Sequence, residues 1–315
     1  MRDIITERIK LLKEHGGVPE PEVRNKEWFY LLKEESRNSI MIEGFFVSEK
    51  ELEEVLAGQK AQKRAQEEVL NYFKSATYSY GLAYENYKVG ELVFAIPVIR
   101  QMSKTIAGKG EFRRGDARIA GAKIVPPPFY HIEDWMTFFE GFVKQGFSSN
   151  GFLKFLAQQH VLFESIHPFE DGNGRTGRII MNYLLISNGY PSVILKGDDK
   201  NRERYYKALE QGDKVLRELT AKSFALRNVT KAIQDMETSY LEELISENLR
   251  ISIDRILTRI LEDKKELQLK PAKEVASILG YSADSMRTLI SRGKFVAVKR
   301  GKEWMTHEKL SLERT

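Results

Sequence analysis

The chain has 315 residues, of which 42% are hydrophobic; it carries 50 Lys and Arg against 45 Asp and Glu, and no cysteine. That length supports a domain-sized core and leaves room for a second, smaller unit, while the missing cysteines exclude disulfides, thiolate nucleophiles and zinc–cysteine clusters and fit a reducing compartment. The start, MRDIITERIKLLKEHGG, lacks the apolar stretch of a signal peptide, and the most apolar run, IIMNYLLISNGYPSVIL, is broken by Asn182, Asn188, Gly189 and Pro191, so a cytoplasmic protein without a membrane span is expected.

In chain order, residues 2–35 show helical spacing, with Ile5, Ile9 and Leu12 on one stripe, a loop at 16–22, and Trp28, Leu31 and Leu32 on a second. Residues 39–44, SIMIEG, end in a glycine suited to a helix C-cap. Ser48 and Glu51 form a capping box for the next helix, with Val47 and Leu52 as its hydrophobic staple. Helices follow near 60–88 and 90–105. Residues 112–128, FRRGDARIAGAKIVPPP, set β-prone residues around Gly121 before three prolines, which predicts a short β-hairpin. Further helices are predicted near 133–145, 150–165, 175–188, 200–212 and 218–262. Apart from the hairpin, this body is all helical.

Residues 167–178 read HPFEDGNGRTGR and form the most informative stretch. Gly172, Asn173 and Gly174 let the backbone approach an anion closely. The following residues have helical spacing, so the loop and the positive end of a helix converge on one spot. Arg175 and Arg178, three apart on that helix, add forked donors for phosphate. Asp171 is a hard oxygen ligand of the kind Mg²⁺ accepts, and His167 is a titratable group with an unperturbed pKa near neutrality. A calcium loop starting at Asp171 would need Gly at 176 and Glu at 182, where Thr176 and Asn182 stand, and there is no Walker A sequence. His160 lacks metal-ligand spacing to a second histidine and reads as structural; His15, His131 and His307 belong to no constellation.

The twelve residues match H-P-F-x-D-G-N-G-R-x-x-R, and by that motif the chain resembles the Fic family, enzymes of the fido fold that transfer AMP from ATP to protein hydroxyls. The resemblance implies a mainly α, helical fido fold with a hairpin flap. It implies His167 as general base, Asp171 as the Mg²⁺ ligand, and Asn173 with the Gly172 and Gly174 amides at the α-phosphate. Arg175 and Arg178 would take the β- and γ-phosphates, with Thr176 and Gly177 completing the nucleotide-binding segment. The flap would align a target peptide as an added edge strand. Residues 39–44 also resemble the family's inhibitory pattern, in which Ser39 and Glu43 belong to a helix whose glutamate occupies Arg178 against the γ-phosphate. Tyr205 and Tyr206 resemble the aromatic lining of the adenosine site, with helix packing as the competing reading.

The last segment differs in charge: residues 264–315 hold 12 Lys and Arg against 6 Asp and Glu, so the whole-chain surplus of +5 is confined there. Pro271, an apolar stripe of Val275, Ile278 and Leu279, the break at Gly280, and a Ser282-capped second helix predict a helix-turn-helix. FVAVKRGKEWMT then alternates around Arg300 and Gly301 as a two-stranded wing. The segment resembles excisionase-like and MerR-like winged helix-turn-helix domains. That implies duplex DNA as a partner, with Arg287, Arg292, Lys294, Lys299, Arg300 and Lys302 on phosphate and Arg287 and Thr288 nearest the major groove; a protein-interaction module is the alternative. The expected organisation is 1–90 with the inhibitory helix, 91–220 catalytic, 221–263 connecting and 264–315 winged. ATP and a target protein, the chain itself included, are the expected partners, and a homodimer is compatible with the sequence. An AMP-transferring enzyme is favoured over a DNA-binding regulator with a Fic sensor module, since a sensor needs neither His167 nor Asp171. Removal of AMP from a target stays open as the reverse chemistry.

Overall fold

The computed structural model describes residues 2–149, 151–220, 222 and 224–312. Its main helices are α1 (Arg2–Glu14), α2 (Lys26–Ile42), α3 (Glu49–Leu56), α4 (Arg64–Val89), α5 (Ile96–Ala107), α6 (Ile132–Gly146), α7 (Phe152–Ile166), α8 (Asn173–Ser187), α9 (Asp199–Gly212), α10 (Arg217–Thr220), α11 (Leu226–Gln234), α12 (Ser239–Asp263), α13 (Ala272–Ile278) and α14 (Ala283–Ser291). The strands β1 (Lys270–Pro271), β2 (Val298–Arg300) and β3 (Glu303–Thr306) form an antiparallel sheet in the order β1-β3-β2.

The core is built around α8. Apart from Gly174, its residues from Asn173 to Ser187 are buried, as expected for a helix apolar on most of its circumference. The long α4 lies along it and turns Val69, Tyr72, Phe73, Ala76, Tyr80 and Ala83 inward at three- and four-residue spacing. The helix α2 packs on α4 through a buried polar knot, in which Tyr72 and Tyr80 both donate to the Glu35 carboxylate. Burial lifts the Glu35 carboxyl to about 7 against the pull of the two tyrosine hydroxyls. The predicted Ser48–Glu51 capping box is present, with Val47 and Leu52 buried beside it.

Elsewhere in the molecule α1 packs along α12. The Arg8 guanidinium, fully buried, pairs with Asp254 at 2.6 Å and donates to the carbonyls of Gly293 at 3.0 Å and Phe295 at 2.8 Å. One arginine therefore joins the first helix, the long twelfth helix and the C-terminal segment.

Three expectations change. Residues 112–128 form no strand: the chain turns at Ala120 and Gly121 with one backbone bond, from Ala122 to Ile119, and its prolines lack donors for a ladder. Arg113 instead spans the loop, donating to the carbonyls of His167, Gly115 and Pro127. The predicted run at 218–262 is divided into α10, α11 and α12, and positions 221 and 223 within it lie outside the described residues, as do residues 313–315 of the basic tail. In that tail Ile278 and Leu279 are 56% and 38% exposed. The inner face is instead Ala272, Val275, Ala276, Met286, Ile290, Phe295 and Ala297, because α13 ends at Ile278 and the chain then turns through Gly280 at φ +73°.

Candidate active site

The loop between α7 and α8 is set by its own side chains. His167 closes α7 in a left-handed conformation, φ 50°, unusual for a residue with a side chain; Pro168 follows and cannot continue the helix. Phe169 buries its ring against Phe163 and Phe112. Asn173 spans the loop, accepting from the Phe169 N–H at 2.9 Å and donating to the Phe169 carbonyl at 2.8 Å. Gly172, at φ +77°, lies where a Cβ would come within 2.9 Å of Ile106. The first N–H groups of α8 stand outside the intrahelical ladder at this turn, as in an anion site.

Arg178, one turn into α8, is held from α2. Its Nε donates to Ser39 Oγ at 2.7 Å, and its Nη2 to the Ser39 carbonyl at 3.0 Å and to Glu43 Oε1 at 2.7 Å. Burial alone would lower its pKa, but the Glu43 carboxylate overrides this and holds it above the ordinary value. The approach depends on Gly174, since a Cβ there would lie 2.4 Å from Glu43 Oε1 and 3.1 Å from Arg178 Nη1. Beneath the guanidinium sits the Tyr205 ring, 5.9 Å away, its hydroxyl bonded to His160 at 2.7 Å.

These groups border a cavity of about 840 Å³, lined by Glu43, Glu164, His167, Arg178, Tyr205 and Tyr206 and by residues 118–122 of the loop before α6. Burial drives the His167 imidazole down to about 4, partly offset by the Glu164 carbonyl, so it is neutral and able to accept a proton at neutral pH. His160, which has no place in the cavity lining, is driven down to about 3 by burial and serves as a structural histidine. Tyr206 is 47% exposed, and its hydroxyl donates to the Ile42 carbonyl at the end of α2.

Several expected ligands are engaged elsewhere. Arg175 is buried in an ion pair with Glu68 of α4 and donates to Asp171 at 2.9 Å, so it is drawn away from the cavity. Thr176 is fully buried, and Gly177 is where Glu164 packs, a Cβ there meeting Glu164 Oε1 at 2.3 Å; both residues serve helix packing. The Asn173 side chain is committed to the loop, and the Tyr205 side chain to His160 and Arg178.

Sequence reading missed three residues at this site. Arg113 and Glu68 are brought in by tertiary contact, and nothing local marks them. Glu164, lifted to about 8 by burial against the opposing pull of Arg178, did carry a signal, as a lone carboxylate in the apolar helix FLKFLAQQHVLFESI.

In the tail, Arg287, Thr288, Lys299 and Lys302 are exposed. Arg300 is not available as expected: both its terminal nitrogens bind the Glu262 carboxylate of α12.

The profile of the Fic/DOC family matches residues 92–185. A probable protein adenylyltransferase of Aquifex aeolicus is 31% identical over 287 residues, covering 87% of this chain and 84% of that protein. The protein adenylyltransferase Fic of Aedes aegypti is 41% identical over 103 residues, 32% of this chain and only 20% of that protein. Among solved structures, a Fic-domain signaling protein of Bacteroides thetaiotaomicron superposes with a TM-score of 0.63 at 19% identity, over 80% of this chain and 96% of that one. Fic-1 of C. elegans superposes with a TM-score of 0.61 at 18% identity, over 83% of this chain and 73% of that one. The chain belongs to the Fic/DOC family. Within it, the chain is an AMP-transferring enzyme, a protein adenylyltransferase. No described helix is long and apolar enough to cross a membrane.

Proposed function

We propose that the chain transfers AMP from ATP to a Tyr, Ser or Thr hydroxyl of a target protein, with His167 as base, and that Glu43 restrains the reaction by occupying Arg178. The observation that carries this reading is the juxtaposition of a neutral imidazole and a carboxylate-bound arginine on one cavity beside a helix N-terminus. The hydroxyl oxygen attacks the α-phosphorus as His167 takes its proton, the bond to the bridging oxygen breaks, and pyrophosphate leaves. Glu43 fills the fork that a γ-phosphate would use, so a bound triphosphate presents its α-phosphorus off line, and small misplacements of reacting atoms cost large factors in rate.

Asp171 suits a Mg²⁺ ion. Its side chain is 58% exposed, and while Oδ1 accepts from the Gly172 N–H and Arg175, its Oδ2 faces outward with the Arg64 guanidinium 3.8 Å away. The described residues contain no group of three or more metal-ligating side chains, and Mg²⁺ fits a single carboxylate because it takes phosphates and waters as its other ligands. When bound, the ion would neutralise charge on the phosphates.

For the tail, the reading is a winged helix-turn-helix that binds duplex DNA, supported by the open outer face of α14 and by the exposed Lys299 and Lys302. The central test incubates the full chain with labelled ATP and Mg²⁺ in host lysate, natural sequence against Glu43→Gly and His167→Ala. Label on protein that rises in the first variant and is absent in the second supports the reading. Label that survives in His167→Ala removes the base from it.

A further inference from the structure

A second cavity, of about 360 Å³, lies on the opposite side of α9 from the nucleotide cavity, where the catalytic body meets the end of α14. Its lining brings together four cations from four parts of the chain: Lys196 before α9, Arg204 on α9, Arg250 on α12 and Arg292 just after α14. A single carboxylate, Glu247, stands among them, and it is paired with Arg204 at 3.1 Å. Among the described residues no carboxylate lies within ion-pair distance of Lys196, Arg250 or Arg292. Arg250 is the telling member. Its Nη1 donates only to a backbone carbonyl, that of Ile290 at 3.0 Å, and burial pulls its pKa down against the opposing influence of Asp254. Asp254 and Glu247 act on it from beyond ion-pair contact, so this half-buried guanidinium is only partly compensated and would gain from an anion in the cleft.

We propose that this cleft binds a small ligand bearing two or more phosphate groups, held by Lys196, Arg250 and Arg292. Three cations with no carboxylate in ion-pair contact, on a concave surface of this volume, fit a compact polyanion, and two planar guanidinium forks favour the paired oxygens of a phosphate over a spherical monoanion such as chloride. Ile4 and Ile251, on the same lining, offer an apolar rest for whatever the phosphates are attached to. The concavity and its position at the C-terminal end of α14 favour a free ligand over a DNA backbone, which would run along the exposed outer face of that helix. The site is separate from the AMP-transfer chemistry, but Arg204 is the neighbour of Tyr205, so an occupant would bear on the helix that lines the nucleotide cavity.

The test titrates the full chain with inorganic tripolyphosphate at low salt by calorimetry, in the natural form, as Arg178→Ala, and as Lys196→Ala with Arg292→Ala. Binding is expected to survive in Arg178→Ala and to weaken at least about tenfold in the double variant, which loses two charge-assisted partners. Arg292→Lys with Lys196 retained should recover part of that loss, and unchanged thermal unfolding of the double variant separates lost binding from lost fold. The proposal falls if the natural chain does not bind tripolyphosphate, if Arg178→Ala alone removes the binding, or if the double variant binds as tightly as the natural chain. It falls equally if the double substitution weakens only the binding of a duplex oligonucleotide, which would assign these cations to DNA.

Discussion

Two buried arginines, each paired with a carboxylate, organise two different regions of this molecule. Arg8 is sealed: neither it nor Asp254 reaches solvent to any extent, and the guanidinium also caps two backbone carbonyls of the C-terminal segment. Arg178 is equally buried, but its partner Glu43 has a side chain 31% exposed and lines the nucleotide cavity. The chemistry of the pairs is alike and their access differs. A pair with no route for a competitor is architecture, because breaking it leaves a bare charge in the interior. A pair with one partner on a cavity wall can be exchanged for another anion, and the arginine then keeps its charge compensated throughout.

The comparison can be broken most severely at His167, the proposed base. His167→Ala is expected to lower AMP transfer by ~10²- to 10⁴-fold while ATP binding, followed by calorimetry, changes little, since base catalysis is lost and the anion site is not. At the sealed pair, Asp254→Ala strands Arg8 and should cost about 3–5 kcal/mol of stability in chemical denaturation. Transfer by that variant at a temperature where it remains folded should be close to natural, because the seam lies away from the cavity. Glu43→Ala should do the reverse, raising transfer and self-modification by about tenfold or more with stability changed far less, the order of effect that realigning a phosphate can have. Arg178→Ala added to it should cancel the gain. If Glu43→Ala unfolds the chain as readily as Asp254→Ala, the distinction between the pairs is lost.

A gentler probe is pH. Glu35 and Glu164 are protonated in the folded state up to about 7 and about 8, whereas an unfolded glutamate releases its proton near 4.5. The folded state thus binds more protons than the unfolded between these values, and stability falls as pH rises through them. The depressed histidines, His160 and His167, act oppositely, but only below about 6.5. Between pH 6.5 and 8 the carboxyls alone remain, so the unfolding midpoint should drop over that interval. Glu35→Gln should reduce the slope below pH 7 to the part that Glu164 contributes and leave the slope between 7 and 8 in place, and a slope below pH 7 that is undiminished would assign the effect to another group. The smallest effect is expected in the tail. Lys299→Ala with Lys302→Ala should weaken duplex binding by the full chain a few-fold and alike for all sequences, with a shallower salt dependence in a gel shift, whereas Arg300→Ala should act on stability through Glu262.

What could be read from the sequence follows the range of the interactions. The capping box at Ser48, the helices from α4 to α9 and the loop from His167 to Arg178 were legible because each is specified within about a dozen neighbouring residues. The order of charges also placed the basic surplus in the tail. The partners of those residues were not legible. Glu68 lies over a hundred positions from Arg175, and Arg8 meets Asp254 across nearly the whole chain; neither carboxylate has a local pattern. Two local readings failed for local reasons: residues 112–128 have the composition of a hairpin but prolines and Arg113 in place of a ladder, and the Ile278–Leu279 stripe assumed one more turn of α13 than the chain makes.

Gly174 ties the restraint to the phosphate cradle through the space of a single missing methyl. A side chain at that position would meet both Glu43 and Arg178, so on the proposed reading a change there that loosened the pair would also crowd the anion site. Position 43 carries no such penalty, since it sits at the end of α2 and shares no atom with the loop. If Glu43 restrains the enzyme as proposed, that restraint is adjustable from the helix more readily than from Gly174. On the proposed reading, a displacement of the end of α2, where the Tyr206 hydroxyl donates to the Ile42 carbonyl, would act on the Glu43–Arg178 pair without a change in the loop.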